Sequence, residues 1–316
     1  MDPLPLVSCV IPSYNRPGYV RTAIESALTQ TYSPMEVIVV DDGSTDETPD
    51  VAESFGERVK VIRQANGGSA AARNTGIAAA SGEFVAWLDS DDAWLPEKIA
   101  IQVAAARDYP EAGIVYTHCQ AIDGNDQPPP PKEPIKAPPA RLREDILAMM
   151  VVESEVMPSS CLVRRTALDS VGWFNKDFIN AEDWEFHFRM ARQFGFVEVP
   201  APLTRYRVHA ASKTADRWPH AIGALQLRKV IEEARVALTA AQIPGIEQAY
   251  AVHERKYAEV CYKVGKLAAD RGDFDLGLKM LREARRRNPR VVKYHTRLLQ
   301  ASVRSLSAAG ASTREN

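Results

Sequence analysis

Apolar and polar positions alternate between two periods over most of the chain. Residues 6–11 and 36–40 are short β-branched runs, and between them Val20, Ala23, Ile24, Ala27 and Leu28 recur at helical spacing, which predicts one β-α-β unit. The pattern then repeats. Ser44, Thr45, Asp46 and Glu47 stand at capping-box spacing ahead of a predicted helix, residues 59–63 predict a strand, and residues 69–80 predict an alanine-rich helix. Residues 83–88 and 113–118 predict two more strands, separated by a helix that has Pro96 in its first turn and runs to about residue 107. Alternation of this kind predicts an α/β fold with a mainly parallel sheet flanked by helices.

Beyond this region the pattern changes. Residues 127–140 hold so many prolines that neither a helix nor an interior strand can pass through them, and an extended, partly polyproline loop is predicted. A short strand over 160–163, a helix over 183–194 and a segment through 206–212 follow. From residue 218 the periodicity is almost purely helical, predicting a C-terminal helical appendage. Within it Gly265, Gly272, Gly277, Leu281, Ala284 and Pro289 resemble one tetratricopeptide unit over 258–290, a pattern that any tight helical hairpin also gives. The expected division is 1–110, 111–217 and 218–316.

Composition narrows the class. The 316 residues are 45% hydrophobic and 25% charged, as in a globular protein rather than a disordered one. Cys9, Cys119, Cys161 and Cys261 lie too far apart in sequence for a zinc or redox motif. Neither a leader pattern nor a bilayer-length apolar run is present, so a cytoplasmic setting is expected. Charge is unevenly spread: residues 271–316 carry 11 Lys or Arg against 4 Asp or Glu, net +7, leaving −9 elsewhere. Such a tail is either a solvated helix surface or a face for something anionic, such as a phosphorylated acceptor or the inner face of a membrane touched peripherally. No nucleic-acid partner is expected.

In an open α/β sheet ligands bind at the carboxyl ends of the strands. Three predicted strands end in polar sets: Pro12 to Arg16, Asp41 to Ser44, and Asp89 to Asp92. Each set alone reads as turn chemistry. Together they would concentrate Asp41, Asp42, Asp89, Asp91 and Asp92 beside one crevice, an arrangement that calls for a cation to offset the repulsion. Mg²⁺ or Mn²⁺ held there would bind a diphosphate. The glycine-rich signatures of dehydrogenases and P-loop kinases are absent.

With these motifs in order, the chain resembles the inverting GT-A fold glycosyltransferases of family two over about residues 5–215. The resemblance rests on Val-Ile-Pro-Ser-Tyr-Asn-Arg from Val10, Val-Asp-Asp-Gly-Ser-Thr-Asp from Val40, Asn66-Gly67-Gly68 leading to Ala72-Arg73-Asn74, and Leu88-Asp89-Ser90-Asp91-Asp92. It implies a GT-A type sheet that binds a nucleotide-diphosphate sugar, with UDP- or dTDP-linked donors favoured. Pro12, Tyr14 and Asp42 would surround the base, Arg73 would lie near base or phosphate, and Asp89 would reach the ribose. Asp91 would bind Mn²⁺ or Mg²⁺, and Asp92 would sit beside the donor sugar or the metal. Glu182-Asp183-Trp184 matches the acidic motif in which the Asp is the general base, so Asp183 is the expected catalytic residue. Tyr206-Arg207-Val208-His209 matches a segment that supplies the metal-diphosphate group, Arg207 for the diphosphate and His209 for the metal.

The Gln-x-x-Arg-Trp of processive synthases is not matched, since Thr214 stands where that Gln would precede Arg217-Trp218, so transfer of a single sugar is expected. The acceptor would be a glycan or a lipid-linked molecule, in cell-surface polysaccharide or glycoconjugate assembly of bacterial type. The alternatives are a non-catalytic sugar-nucleotide module acting through its helical tail, and a nucleotidyltransferase, which would want a basic glycine-rich loop after the first strand.

Overall fold

The computed structural model describes residues 3–123, 140–178, 180–209 and 217–312. Residues 127–139 of the predicted proline-rich loop, and Thr214 in the segment 210–216, lie outside these residues. The chain divides into two compact units, one of residues 1–150, 154–177 and 182–212, the other of 151–153, 178–181 and 213–316.

The first unit begins with β1 (Val7–Ser13), α1 (Pro17–Leu28), β2 (Met35–Asp41), α2 (Thr48–Glu53), β3 (Lys60–Arg63), α3 (Ser69–Ala79) and β4 (Phe84–Trp87). β1 pairs in parallel with β2 and β4, and β2 with β3, so the expected parallel sheet is complete in this half. β1 is buried along its whole length. Its residues Val7, Cys9 and Ile11 meet Val20 and Ile24 of α1 in the main core, while Ile38 and Val40 of β2 pack on the other face with Ala72 of α3. A Cβ on Gly76 would collide with the Val10 side chain, so α3 can lie this close to β1 only with glycine there.

Two local expectations differ. The capping box is not formed: α2 starts at Thr48, whose N–H and hydroxyl both donate to Asp46 Oδ1, at 3.0 and 2.5 Å. Pro96 stands just ahead of α4 (Lys98–Asp108) rather than inside it.

Beyond β4 the sheet becomes mixed. The short β5 (Ala93–Trp94) precedes α4, followed by β6 (Ala112–Ile122), β7 (Arg141–Arg143), α5 (Ile146–Val152), β8 (Cys161–Arg164), α6 (Arg165–Val171), α7 (Glu182–Ala191) and β9 (Gly195–Arg207). The strand order is β3-β2-β1-β4-β8-β6-β9-β5, with β7 on β9. β8 runs antiparallel to both β4 and β6, whereas β6 and β9 are parallel. Most of β9 was hidden by Pro200 and Pro202, which disfavour an interior strand. Register shifts around Thr117 and His118 absorb them.

The second unit is helical: α8 (Arg217–Ala240), α9 (Ile246–Asp270), α10 (Phe274–Arg287) and α11 (Val292–Ser312). α9 and α10 cross at small residues. A Cβ on Gly265 would stand 2.8 Å from Leu281 Cγ and 3.0 Å from the Gly277 carbonyl oxygen. No helix among the described residues is long and apolar enough to cross a membrane.

Candidate active site

The carboxyl ends of β1, β2 and β4 meet at one edge, as parallel pairing requires. Asp42 N donates to Ser13 O at 2.9 Å, Asn15 N to Ser44 Oγ at 2.9 Å and Thr45 N to Asn15 Oδ1 at 2.9 Å, which ties the first two polar sets into one ledge. Asn15 adopts φ +50°, a left-handed conformation that asparagine tolerates. Gly43, at φ +79°, lies where a Cβ would meet Asn66 N at 2.8 Å. Asp41 is buried and accepts from Ser44 N, consistent with a turn residue.

Asp42 is engaged by the glycine loop. Its Oδ1 accepts from Gln64 Nε2 at 2.7 Å and Gly67 N at 2.9 Å, and its Oδ2 accepts from Gly68 N at 2.8 Å. A carboxylate has about four acceptor positions, so one is left over on this buried side chain, which is 4% exposed. Pro12 is buried at the end of β1, and Tyr14 is 43% exposed on the ledge.

Arg73, buried on α3, lies between two carboxylates. Its Nη2 donates to Asp89 Oδ1 at 2.6 Å and its Nη1 to Glu182 Oε1 at 3.2 Å, and Ser69 Oγ also bonds Glu182. The guanidinium thereby links the end of β4 to the start of α7. Glu182 is buried and held, while the adjacent Asp183 is half-buried, with Oδ1 accepting from Trp184 N at 2.8 Å. Burial, reinforced by the neighbouring Glu182, pushes the Asp183 carboxyl up to about 6, against the pull of Arg73.

At the acidic loop the two aspartates part ways. Asp91 is partly exposed, and its Oδ2 lies 3.0 Å from His209 Nε2. His209 also packs on Tyr19, ring centroids 5.1 Å apart. Asp92, expected at the donor sugar or metal, is instead turned inward and is 2% exposed. Ser159 Oγ donates to its Oδ2 at 2.6 Å and Arg207 N to its Oδ1 at 2.9 Å. Burial and the nearby Asp89 and Asp91 hold its carboxyl well above the usual range.

Arg207, expected at the diphosphate, is also turned inward. Its Nε donates to Asp91 O at 2.7 Å and its Nη1 to Asp123 O at 2.9 Å, with the guanidinium over the Tyr19 ring. It braces the loop that carries Asp91.

Two contributors were not foreseen. Ser159, in the turn before β8, donates to Asp92 and accepts from Asp89 N at 3.0 Å. Tyr19, on α1, supports both Arg207 and His209. Neither lies in a motif, so no sequence signal marked them. Among the described residues no three His, Cys, Asp or Glu side chains form a metal cluster. Asp91 and His209 bring one carboxylate and one imidazole together, of which the carboxylate is the donor type that Mn²⁺ and Mg²⁺ favour.

Comparison with known proteins bears on the family and the fold. The model of the family "Glycosyl transferase family 2" matches residues 8–172. An uncharacterised glycosyltransferase of Rickettsia prowazekii is 32% identical over 211 residues, 66% of each chain. One from Nostoc is 43% identical over 125 residues, 38% of each. The chain thus spans from about a third to two thirds of the length of such relatives. Among solved structures, S. aureus TarS 1-349 in complex with UDP-GlcNAc superposes with TM-score 0.63 at 19% identity, covering 95% of this chain and 88% of that one. The mannosyltransferase PcManGT of Pyrobaculum calidifontis, in complex with GDP-Man and Mn2+, gives 0.60 at 20% identity, covering 96% and 88%. At such identities the likeness carries the fold, which is of the expected GT-A type. With more than half of the sequence inside the family match, the chain belongs to glycosyl transferase family 2.

Proposed function

We propose that this protein transfers a single sugar, with inversion, from a nucleotide-diphosphate sugar to an acceptor hydroxyl in glycan or glycoconjugate assembly. The observation that carries the reading is the division of labour between two adjacent carboxylates. Glu182 is consumed by Arg73 and Ser69, whereas Asp183 is left with its carboxyl pushed up to about 6, close to where a general base works best.

In this reading the ledge of Pro12 and Tyr14 and the remaining acceptor position of Asp42 receive the base, and Asp89 turns its partly exposed carboxylate to the ribose. Arg73 acts through Asp89 and Glu182, fixing donor edge and base in one frame. Asp91 and His209 would hold Mn²⁺ or Mg²⁺, which when bound offsets charge on the leaving diphosphate. Asp183 takes the acceptor proton while the hydroxyl oxygen bonds to the anomeric carbon and the nucleotide diphosphate departs from the opposite face. The nucleotide sugars bound by TarS and PcManGT support a UDP- or GDP-linked donor without choosing between them.

The test is a panel of UDP-, dTDP- and GDP-sugars assayed for nucleotide release with Mg²⁺ or Mn²⁺, with and without glycan acceptors. Slow release that acceptor accelerates, giving a product of inverted anomeric configuration, is expected. Donor binding with no release under any condition would replace the enzyme by a sugar-nucleotide binding module.

A further inference from the structure

One side of α11 is left uncovered. Tyr294, Leu298 and Ala301 turn inward to the helical core. On the opposite side Val292, Leu299, Val303 and Leu306 are 75, 68, 63 and 74% exposed. At helical geometry these four fall within a sector of about 60° and form a ladder roughly 21 Å long. Single exposed aliphatic residues are ordinary, but an aligned ladder marks a surface with a partner.

The charge carried by the same helical unit says which kind. Lys293, Arg297 and Arg304, also on α11, are each bridged to an acid of α9, Glu259 or Asp270. On the neighbouring α10, Lys279, Arg282 and Arg285 are exposed, as is Arg290 in the turn before α11, and none has an acidic partner among the described residues. α11 contains no Asp or Glu. Residues 213–316 carry 20 Lys and Arg against 11 Asp and Glu, whereas residues 1–212 carry 19 against 30. The same unit has a cavity of about 390 Å³ with apolar walls from Ala221, Ala224, Val260 and Leu267, bordered by Lys263 and Lys266. Here too aliphatic surface is edged with cations.

A second copy meeting this face would bring its own unpaired cations toward these, which is repulsive. An anionic lipid surface offers acyl chains for the ladder and phosphates for the cations. We propose that the outer faces of α10 and α11 dock on an anionic bilayer, with Val292, Leu299, Val303 and Leu306 at the acyl boundary and Lys279, Arg282, Arg285 and Arg290 among the headgroup phosphates. The proposal rests on the helical unit alone and is independent of the transferase reading.

The experiment is co-sedimentation of the full chain with vesicles of phosphatidylcholine, or of phosphatidylcholine mixed equally with phosphatidylglycerol, at low and high salt. Each cation at an anionic surface is worth roughly a fivefold factor, so partitioning onto the anionic vesicles should exceed that onto neutral ones by at least about a hundredfold and collapse in high salt. Both Leu299→Glu/Val303→Glu and Lys279→Glu/Arg282→Glu should reduce binding at least about tenfold. Both pairs are exposed, and unchanged helical circular dichroism and an unchanged melting temperature would show that the variants are folded. Absence of an anionic preference, or retention of binding by either variant, overturns the proposal. So does a dimer in sedimentation velocity that Leu299→Glu/Val303→Glu abolishes, which would assign the ladder to a second copy.

Discussion

In the proposed reading one half-buried carboxylate, Asp183, shapes both activity and stability. Its carboxyl is pushed up to about 6, so it is ionised and able to accept a proton only above that pH, and transfer is expected to fall as pH drops through about 6. A folded-state value above the unfolded one favours the fold below the unfolded value, near 4, and that contribution is lost as pH rises through about 6. Asp183→Asn should therefore lower transfer by about 10²- to 10⁴-fold, with a melting temperature at pH 7 equal to or above that of the unaltered protein. Normal transfer by the variant would move the base elsewhere. Its candidacy was visible in the Glu-Asp-Trp motif, but its surroundings were not: sequence cannot tell that Arg73 and Ser69, more than a hundred positions away, occupy Glu182 while Asp183 accepts from the neighbouring Trp184 N. Asp92 and Arg207 illustrate the converse. Both stand in motifs, yet Ser159 and the backbone of β9 draw the carboxylate inward, and two carbonyls claim the guanidinium.

At the scale of elements, the glycines at the α9–α10 crossing and the turn before β8 carry predictions. Gly265→Ala places a methyl 2.8 Å from Leu281 Cγ and 2.9 Å from Leu281 N, so urea unfolding followed by helical signal should show a loss of about 1–3 kcal/mol. A neutral result would mean that the helices are farther apart. Ser159→Ala removes the donor to buried Asp92 and the acceptor for Asp89 N, with an expected cost of about 1–3 kcal/mol. Calorimetry should also find metal-dependent binding of uridine or guanosine diphosphate weakened, because the loop holding Asp91 loosens. Full retention of that binding would show that the turn has no part in the site. The β-α-β elements were legible because their core faces repeat at strand and helix periods, as Val7, Cys9 and Ile11 do against Val20 and Ile24. β9 was not, because Pro200 and Pro202 are tolerated only through a bulge whose partner strand lies some eighty positions earlier.

For the whole molecule the two units differ in sign, 19 Lys and Arg against 30 Asp and Glu before residue 213 and 20 against 11 after it. Their salt responses are expected to be opposite. In chelator, added salt should raise the weak affinity for a nucleoside diphosphate by screening the acidic edge, while the same salt should release the protein from anionic vesicles. Parallel titrations by calorimetry and co-sedimentation check this, and a shared direction would contradict the charge division. The sequence by itself determined the alternating elements, the polar sets at their carboxyl ends, the family motifs and the charged tail, because each depends on residue type at short separation. Only the tertiary structure decided which carboxylates face the crevice and which are sealed, how the sheet turns mixed after β4, and that α11 keeps an aliphatic ladder uncovered. Those outcomes depend on contacts between residues far apart in the chain, where burial and hydrogen-bond competition choose among side chains that local pattern treats alike.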